Sequence, residues 1–214
     1  MRYTTVLFDL DGTLLDTLTD LAASTNYALR SCGMPEHSID DVRRFVGNGV
    51  RMLMTRAVPD GESNPRFDEA FSVFRQHYMQ HCLDTTCPYP GIMDALARLK
   101  EKGMMLAIVS NKMQAATEEL RQHFFSQYID VAIGESAAIR KKPAPDTVNE
   151  VLRLLGISHD EAIYVGDSDV DIDTARAAMM PCASVLWGFR DRQFLLNHGA
   201  TRLLSSPEEL LSLV

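Results

Sequence analysis

The chain lacks any long apolar run: no stretch approaches the roughly 20 apolar residues that a membrane-spanning helix needs, and the first apolar segment is broken by Asp9 and Asp11. A bilayer-spanning helical protein is thereby excluded from the reading. Basic excess is also missing. Lys and Arg total 21 against 29 Asp and Glu, giving a formal charge of -8 and an isoelectric point near 5.2, which argues against a general nucleic-acid binder held by phosphate contacts. Cysteine is scarce and unpatterned: Cys32, Cys82, Cys87 and Cys182 show no disulfide-framework spacing, so a reduced, cytoplasmic setting is the simplest expectation. A secretory leader pattern, repeats and low-complexity tracts are not seen, and there is a single Trp. What is present is a chain of 214 residues that is 46% hydrophobic, ample for one core domain and an insert.

The most informative stretch is Phe8-Asp9-Leu10-Asp11-Gly12-Thr13. Val6, Leu7 and Phe8 form the near-continuous apolar run expected of a strand covered on both faces in a parallel sheet, with the strand predicted over Thr4 to Asp9. Asp9 then falls at the carboxyl edge of that sheet, where open α/β folds bind their ligands. Two carboxylates this close repel, so the pair calls for a cation or a shared proton. A hard divalent cation with oxygen ligands, such as Mg²⁺, suits them. Taken alone, Asp-Gly also reads as turn punctuation.

Three distant segments repeat the arrangement of a buried strand followed by polar groups. Leu106 to Val109 ends in Ser110-Asn111, a hydroxyl and an amide suited to an anion. A strand from Val131 to Ile133 precedes Lys141-Lys142-Pro143-Ala144-Pro145-Asp146, with a helix predicted to open near Pro145. Ala162 to Val165 runs into Gly166-Asp167-Ser168-Asp169-Val170-Asp171. An EF-hand loop starting at Asp167 would need Gly and Glu where Ile172 and Ala178 stand. Asp169 and Asp173 read as acidic residues near the start of a helix predicted from Asp171.

With these four motifs in order, the chain resembles the haloacid dehalogenase superfamily of aspartate-dependent phosphohydrolases over essentially its whole length. Gly166-Asp167-Ser168 is similar to the phosphoglycolate phosphatase branch, whereas the related β-phosphoglucomutases usually carry Glu-Asp-Ser. The resemblance implies a Rossmann-like, doubly wound parallel α/β core with a helical cap domain inserted after the first strand. It implies Asp9 as nucleophile, Asp11 as general acid and base, Ser110 and Asn111 as hydrogen-bond donors to the phosphoryl oxygens, and Lys142 as the cation that neutralises charge on Asp9 and the phosphoryl group. An acid of this kind works best with a raised pKa, and neighbouring carboxylates are the expected cause. Gly12, Thr13 and Asn111 would contact substrate, and Mg²⁺ would be held by the Asp9 side chain, the Asp11 carbonyl and Asp167, with Asp171 either a further ligand or a support behind the ligands. The implied activity is hydrolysis of a small phosphomonoester, 2-phosphoglycolate being one candidate. A phosphosugar mutase, a pyrophosphatase and a catalytically silent binding protein are the alternatives, and intact Asp9, Asp11, Lys142 and Asp167 speak against the last.

Between Asp16 and Met104 no strand pattern emerges. Leu18, Leu21, Ala22, Thr25, Ala28, Leu29 and Cys32 recur at helical spacing up to Gly33 and Pro35, and further helices are predicted at 39–45, 50–57 and 67–82. Residues 16–84 therefore read as the helical cap, residues 1–15 and 85–214 as the core, and Cys87-Pro88-Tyr89-Pro90-Gly91 as a hinge. In the cap, Gly47-Asn48-Gly49 could offer backbone amides to an anion or simply form a turn, and Arg51 is a candidate partner for a substrate carboxylate, with Arg43, Arg44 and Arg56 as rivals. His77, His81, Cys82 and Cys87 could suggest zinc, but their spacing is unusual for a structural site. The expected partner is a small anionic phosphorylated metabolite, with no nucleic acid and no membrane, and either a monomer or a dimer fits.

Overall fold

A computed structural model describes residues 3–214. They form two compact units, one holding the chain up to Leu15 and again Pro88–Val214, the other Asp16–Cys87. The chain opens with β1 (Thr5–Phe8), all four residues buried, and the short β2 (Leu15–Asp16). The helical unit follows with α1 (Leu18–Ser31), α2 (Ile39–Phe45), α3 (Val50–Ala57) and α4 (Phe67–His81). β3 (Cys87–Pro88) pairs with β2 as a two-stranded ribbon. Strands of two residues carry no periodicity, so the sequence reading does not find them.

The core continues with α5 (Ile92–Glu101), β4 (Met105–Met113), α6 (Gln114–Phe125), β5 (Val131–Glu135), α7 (Asp146–Leu155) and β6 (Ala162–Gly166). It closes with α8 (Asp169–Ala177), β7 (Cys182–Val185), α9 (Arg192–Asn197), β8 (Leu203–Leu204) and a 3₁₀ turn at Pro207–Leu213. The six strands lie in the order β5-β4-β1-β6-β7-β8, and every pair is parallel. Parallel neighbours need crossovers, which α6, α7, α8 and α9 supply. On α7, Val148, Val151 and Leu152 recur on one face and bury against Leu7, Ala107, Val109 and Tyr164 of the sheet. β1 thus sits between β4 and β6 with Asp9 at its carboxyl end, and all the polar strand ends gather there.

Some element bounds differ from the expected ones. β4 runs on to Met113 although Ser110, Asn111 and Lys112 break its apolar pattern. α8 opens at Asp169 rather than Asp171, because Ser168 caps it reciprocally with Asp171. In the helical unit, buried Asp20 accepts hydrogen bonds from both the amide and the hydroxyl of Thr85 and of Thr86. Burial alone would raise its pKa, but these four donors outweigh it and hold the carboxyl below its usual value. Its contribution to stability is therefore present at neutral pH and is lost only as acid protonates it below the usual carboxylate range.

The end of α8 gives a first testable outcome. Met179 N–H bonds to Arg176 O at 3.0 Å and Met180 N–H to Ala175 O at 2.8 Å, a Schellman closure that places Met179 at φ +53°. A side chain in this left-handed conformation is strained by about 1 kcal/mol relative to glycine, and that of Met179 is 86% exposed, so little packing is lost with it. Met179→Gly is expected to stabilise the protein by about 0.5–1 kcal/mol, visible as a higher urea midpoint at unchanged slope.

Candidate active site

Asp9 follows β1 directly, and its N–H donates to Val165 O at 2.9 Å, holding the residue in line with β6. The chain must then turn within two residues. Gly12 makes that possible at φ +87°, and a Cβ there would fall 2.5 Å from Asp167 Oδ2, so both conformation and space demand glycine. Asp167 leaves β6 on the other side of the turn, with Thr13 Oγ1 at 3.5 Å from its Oδ1. Its Oδ2 accepts the Phe189 N–H at 2.7 Å. Trp187 Nε1 donates to Thr13 O at 3.0 Å, so the Trp acts in packing this turn.

Lys142 stands at the centre of the acids, 3% exposed. Its Nζ lies 2.8 Å from Asp9 Oδ1, 2.7 Å from Asp171 Oδ1 and 3.1 Å from the Tyr164 hydroxyl. Asp171 is saturated with donors: Lys142 and Tyr164 on Oδ1, and the amides of Asp167 and Ser168 with the Ser168 hydroxyl on Oδ2. Asp9, Asp167 and Asp171 each offer an oxygen within 4.8 Å of the others, the one metal-capable group of His, Cys, Asp or Glu found among the described residues. All three are buried. A donor set made wholly of carboxylate oxygen suits a hard divalent cation such as Mg²⁺. The histidines have other partners: His77 Nδ1 pairs with the Ser24 hydroxyl at 3.0 Å and His81 Nδ1 with Asp84 at 2.8 Å.

Burial raises the Asp9 pKa well above the usual value, Asp171 and Asp167 add to this, and Lys142 only partly opposes it. Burial works against the charged form of Lys142, but the carboxylates of Asp171 and Asp9 outweigh it and hold its pKa well above the ordinary value. Asp167 is pushed up to about 7, by burial first and by Asp171 second, against the Phe189 N–H. A carboxyl whose pKa is higher in the folded chain than in the unfolded one binds extra protons when folded. In EDTA, the contribution of Asp167 to stability is thus full below about pH 4 and is lost as the pH rises through about 7. Thermal midpoints of the wild type relative to Asp167→Asn are expected to fall between pH 5 and 8, and Mg²⁺ is expected to reverse that trend.

The end of β4 departs from expectation. Ser110 and Asn111 are buried there, but both ends of the Asn111 amide pair with the Lys142 backbone: Nδ2 donates to its O at 3.0 Å and Oδ1 accepts its N–H at 2.8 Å. Asn111 thus fixes the Lys142 loop, because a buried main-chain segment needs partners for its own polar groups. Asp11 also differs, since the neighbour it has is a cation. Lys112 Nζ lies 2.9 and 3.2 Å from its two oxygens. The expected cluster of carboxylates forms around Asp9 instead.

In the helical unit, Gly47 and Gly49 adopt φ +129° and +85°, with Gly49 at the start of α3. Asn48 accepts a hydrogen bond from Arg56 at 2.6 Å, and Arg56 also donates to Phe45 O. Arg51, expected as a partner for a substrate carboxylate, is already engaged. It pairs with Glu62 at 3.0 Å and lies over the rings of Phe67 and Phe71 at 5.0 and 5.5 Å. Three groups were not singled out by the sequence reading: Lys112, Tyr164 and the Phe189 amide. A tyrosine inside an apolar strand is the available signal for the second; the first lies past the polar break in β4, and a main-chain donor leaves no signal.

A sequence profile described as haloacid dehalogenase-like hydrolase matches residues 6–185. The chain is 37% identical to a phosphoglycolate phosphatase of Aquifex aeolicus (strain VF5), covering 98% of this chain and 95% of that one. It is 33% identical to phosphoglycolate phosphatase 1 of Pseudomonas aeruginosa, over 96% and 78%. The crystal structure of a candidate phosphoglycolate phosphatase from Lactobacillus delbrueckii subsp. bulgaricus superposes with a TM-score of 0.94 at 37% identity, covering 98% and 97% of the two chains. Among the described residues no helix is long and apolar enough to cross a membrane. Parallel order, acid cluster, buried lysine and full-length similarity lead to one assignment: the chain belongs to the haloacid dehalogenase-like hydrolase family.

Proposed function

We propose that the protein is a Mg²⁺-dependent phosphatase of the cytoplasm that hydrolyses a small anionic phosphomonoester of the 2-phosphoglycolate type through an aspartyl-phosphate. The observation that carries this reading is the buried Lys142 ammonium, 2.8 Å from Asp9 and 2.7 Å from Asp171, because it keeps a nucleophilic carboxylate oriented in a buried site. The names of the full-length relatives support the substrate class.

An Asp9 oxygen forms a bond to phosphorus while the ester oxygen departs in line, and Asp11 gives that oxygen its proton. Water then attacks the acyl-phosphate with Asp11 taking the proton, inorganic phosphate leaves, and the Asp9 carboxylate is restored. The Ser110 hydroxyl and Lys142 stabilise charge gathering on the phosphoryl oxygens. Gly12 and Thr13 bring their main chain to the same turn. Asp9, Asp167 and the Asp11 carbonyl would hold the Mg²⁺, which supplies charge neutralisation for acids and substrate alike. Asp171, with both oxygens engaged by five donors, orients Lys142 and the Asp167 backbone.

The test is phosphate release from a panel of 2-phosphoglycolate, hexose phosphates, nucleotides and pyrophosphate, in Mg²⁺ or EDTA. One phosphomonoester far ahead in kcat/KM, with release abolished by EDTA, is the expected result. No release from any compound, or isomer exchange in a hexose phosphate without net phosphate, would overturn it.

A further inference from the structure

Lys112 has no part in the reaction as outlined, yet it is 5% exposed, and lysine is almost never buried without a partner that needs it. We propose that Lys112 is a positioning residue for Asp11, holding its carboxyl in the orientation that serves both proton transfers. This rests on the role given to Asp11 above.

The placement is built by the backbone. From Val109 to Met113, β4 advances four residues while its neighbour β5 advances two, Ile133 to Glu135, so the strand bulges at Ser110, Asn111 and Lys112. Bulges redirect side chains at the ends of strands. This one turns Lys112 toward β1 and away from the alternation a regular strand would impose. The bulge is fastened at both sides of the residue: Lys112 N–H donates to Ser110 Oγ at 3.1 Å, and Thr117 Oγ1 donates to Lys112 O at 3.3 Å. Gly134 of β5 leaves the room, since a Cβ there would lie 2.6 Å from both Lys112 O and Thr117 Oγ1.

The result is an ammonium whose reach ends on both oxygens of Asp11, at 2.9 and 3.2 Å. Asp11 sits on the turn beyond β1, where side-chain torsions would otherwise be free to sample several wells. A misplacement of about 1 Å in a group that transfers a proton lowers rate by about 10²-fold. The lysine head carries three donors. It can keep one Asp11 oxygen while the other turns to the leaving oxygen or the water, and so it steadies the carboxyl through both halves of the cycle.

The experiment compares wild type with Lys112→Met and Lys112→Gln, using 2-phosphoglycolate and p-nitrophenyl phosphate by rapid mixing. p-Nitrophenolate departs without a proton, so its burst reports formation of the aspartyl-phosphate alone. Lys112→Met is expected to lower kcat on 2-phosphoglycolate by about 10²-fold with KM within about 3-fold. Its p-nitrophenol burst should keep a rate within about 3-fold of wild type while the following turnover slows by about 10²-fold. Lys112→Gln retains a donor and is expected to recover part of the loss; it carries the same comparison if methionine prevents folding. An active wild type whose variants slow the burst and 2-phosphoglycolate turnover alike, or slow neither, overturns the assignment of Lys112. A wild type inactive on both esters overturns the phosphatase reading and this proposal with it.

Discussion

Asp9→Asn is expected to lower phosphate release by about 10⁴-fold or more while making the metal-free fold more stable at neutral and alkaline pH. The first effect follows from removing the atom that attacks phosphorus. The second follows from electrostatics: burial and the carboxylates of Asp171 and Asp167 disfavour the charged form of Asp9, and Lys142 only partly compensates. The folded pKa is raised, so the stability tied to proton uptake is full at acid pH and is lost as the pH climbs through that folded value. A neutral amide escapes this loss. Steady-state assays and urea midpoints in EDTA at pH 5 and 8 check both halves. The stability gain should be present at pH 8 and shrink at pH 5, and a variant destabilised at pH 8 would contradict the account.

Lys142→Met is expected to fail in both respects. The ammonium touches Asp9, Asp171 and the Tyr164 hydroxyl in a buried site, and removal of one partner from such a cluster leaves uncompensated charge worth about 3–5 kcal/mol. Catalysis should fall by about 10²–10³-fold, the scale seen when one preorganised donor to a developing phosphoryl or oxyanion charge is lost. Methionine matches the length of the lysine stem, so the void it leaves is small. Urea unfolding in EDTA and kcat in saturating Mg²⁺ separate the two effects. The loss of stability should be smaller in saturating Mg²⁺ than in EDTA, since the cation meets part of the uncompensated charge, and equal losses would contradict the account.

The acid-bearing strand ends are legible because a parallel strand buried on both faces reads as an unbroken apolar run, and the residue that breaks it marks the sheet edge. Asp9, Ser110 and Asp167 are found that way. The same rule conceals Lys112, since the polar run from Ser110 to Lys112 reads as the end of a strand that continues through a bulge to Met113. Asn111 and Arg51 show a related limit: a donor's chemistry is visible in sequence, whereas a partner such as the Lys142 backbone or Glu62 is not. Ser168 and Asp171 form a capping box three residues apart, which the spacing itself contains.

The position of β1 bears on how the chain is made. Its partners β4 and β6 pair Thr5 with Met105 and with Ala162, so the central strand of the sheet emerges from the ribosome long before either neighbour exists. The helical unit, continuous from Asp16 to Cys87, depends on nearer contacts and can gather first. Meanwhile Thr5–Phe8 waits as a bare apolar segment with two unsatisfied edges, the kind of sequence that associates with copies of itself. Its brevity and the charges of Asp9 and Asp11 immediately after it act as gatekeepers against that fate. The carboxylates assigned to phosphoryl chemistry therefore guard the nascent strand before there is a site for them to serve.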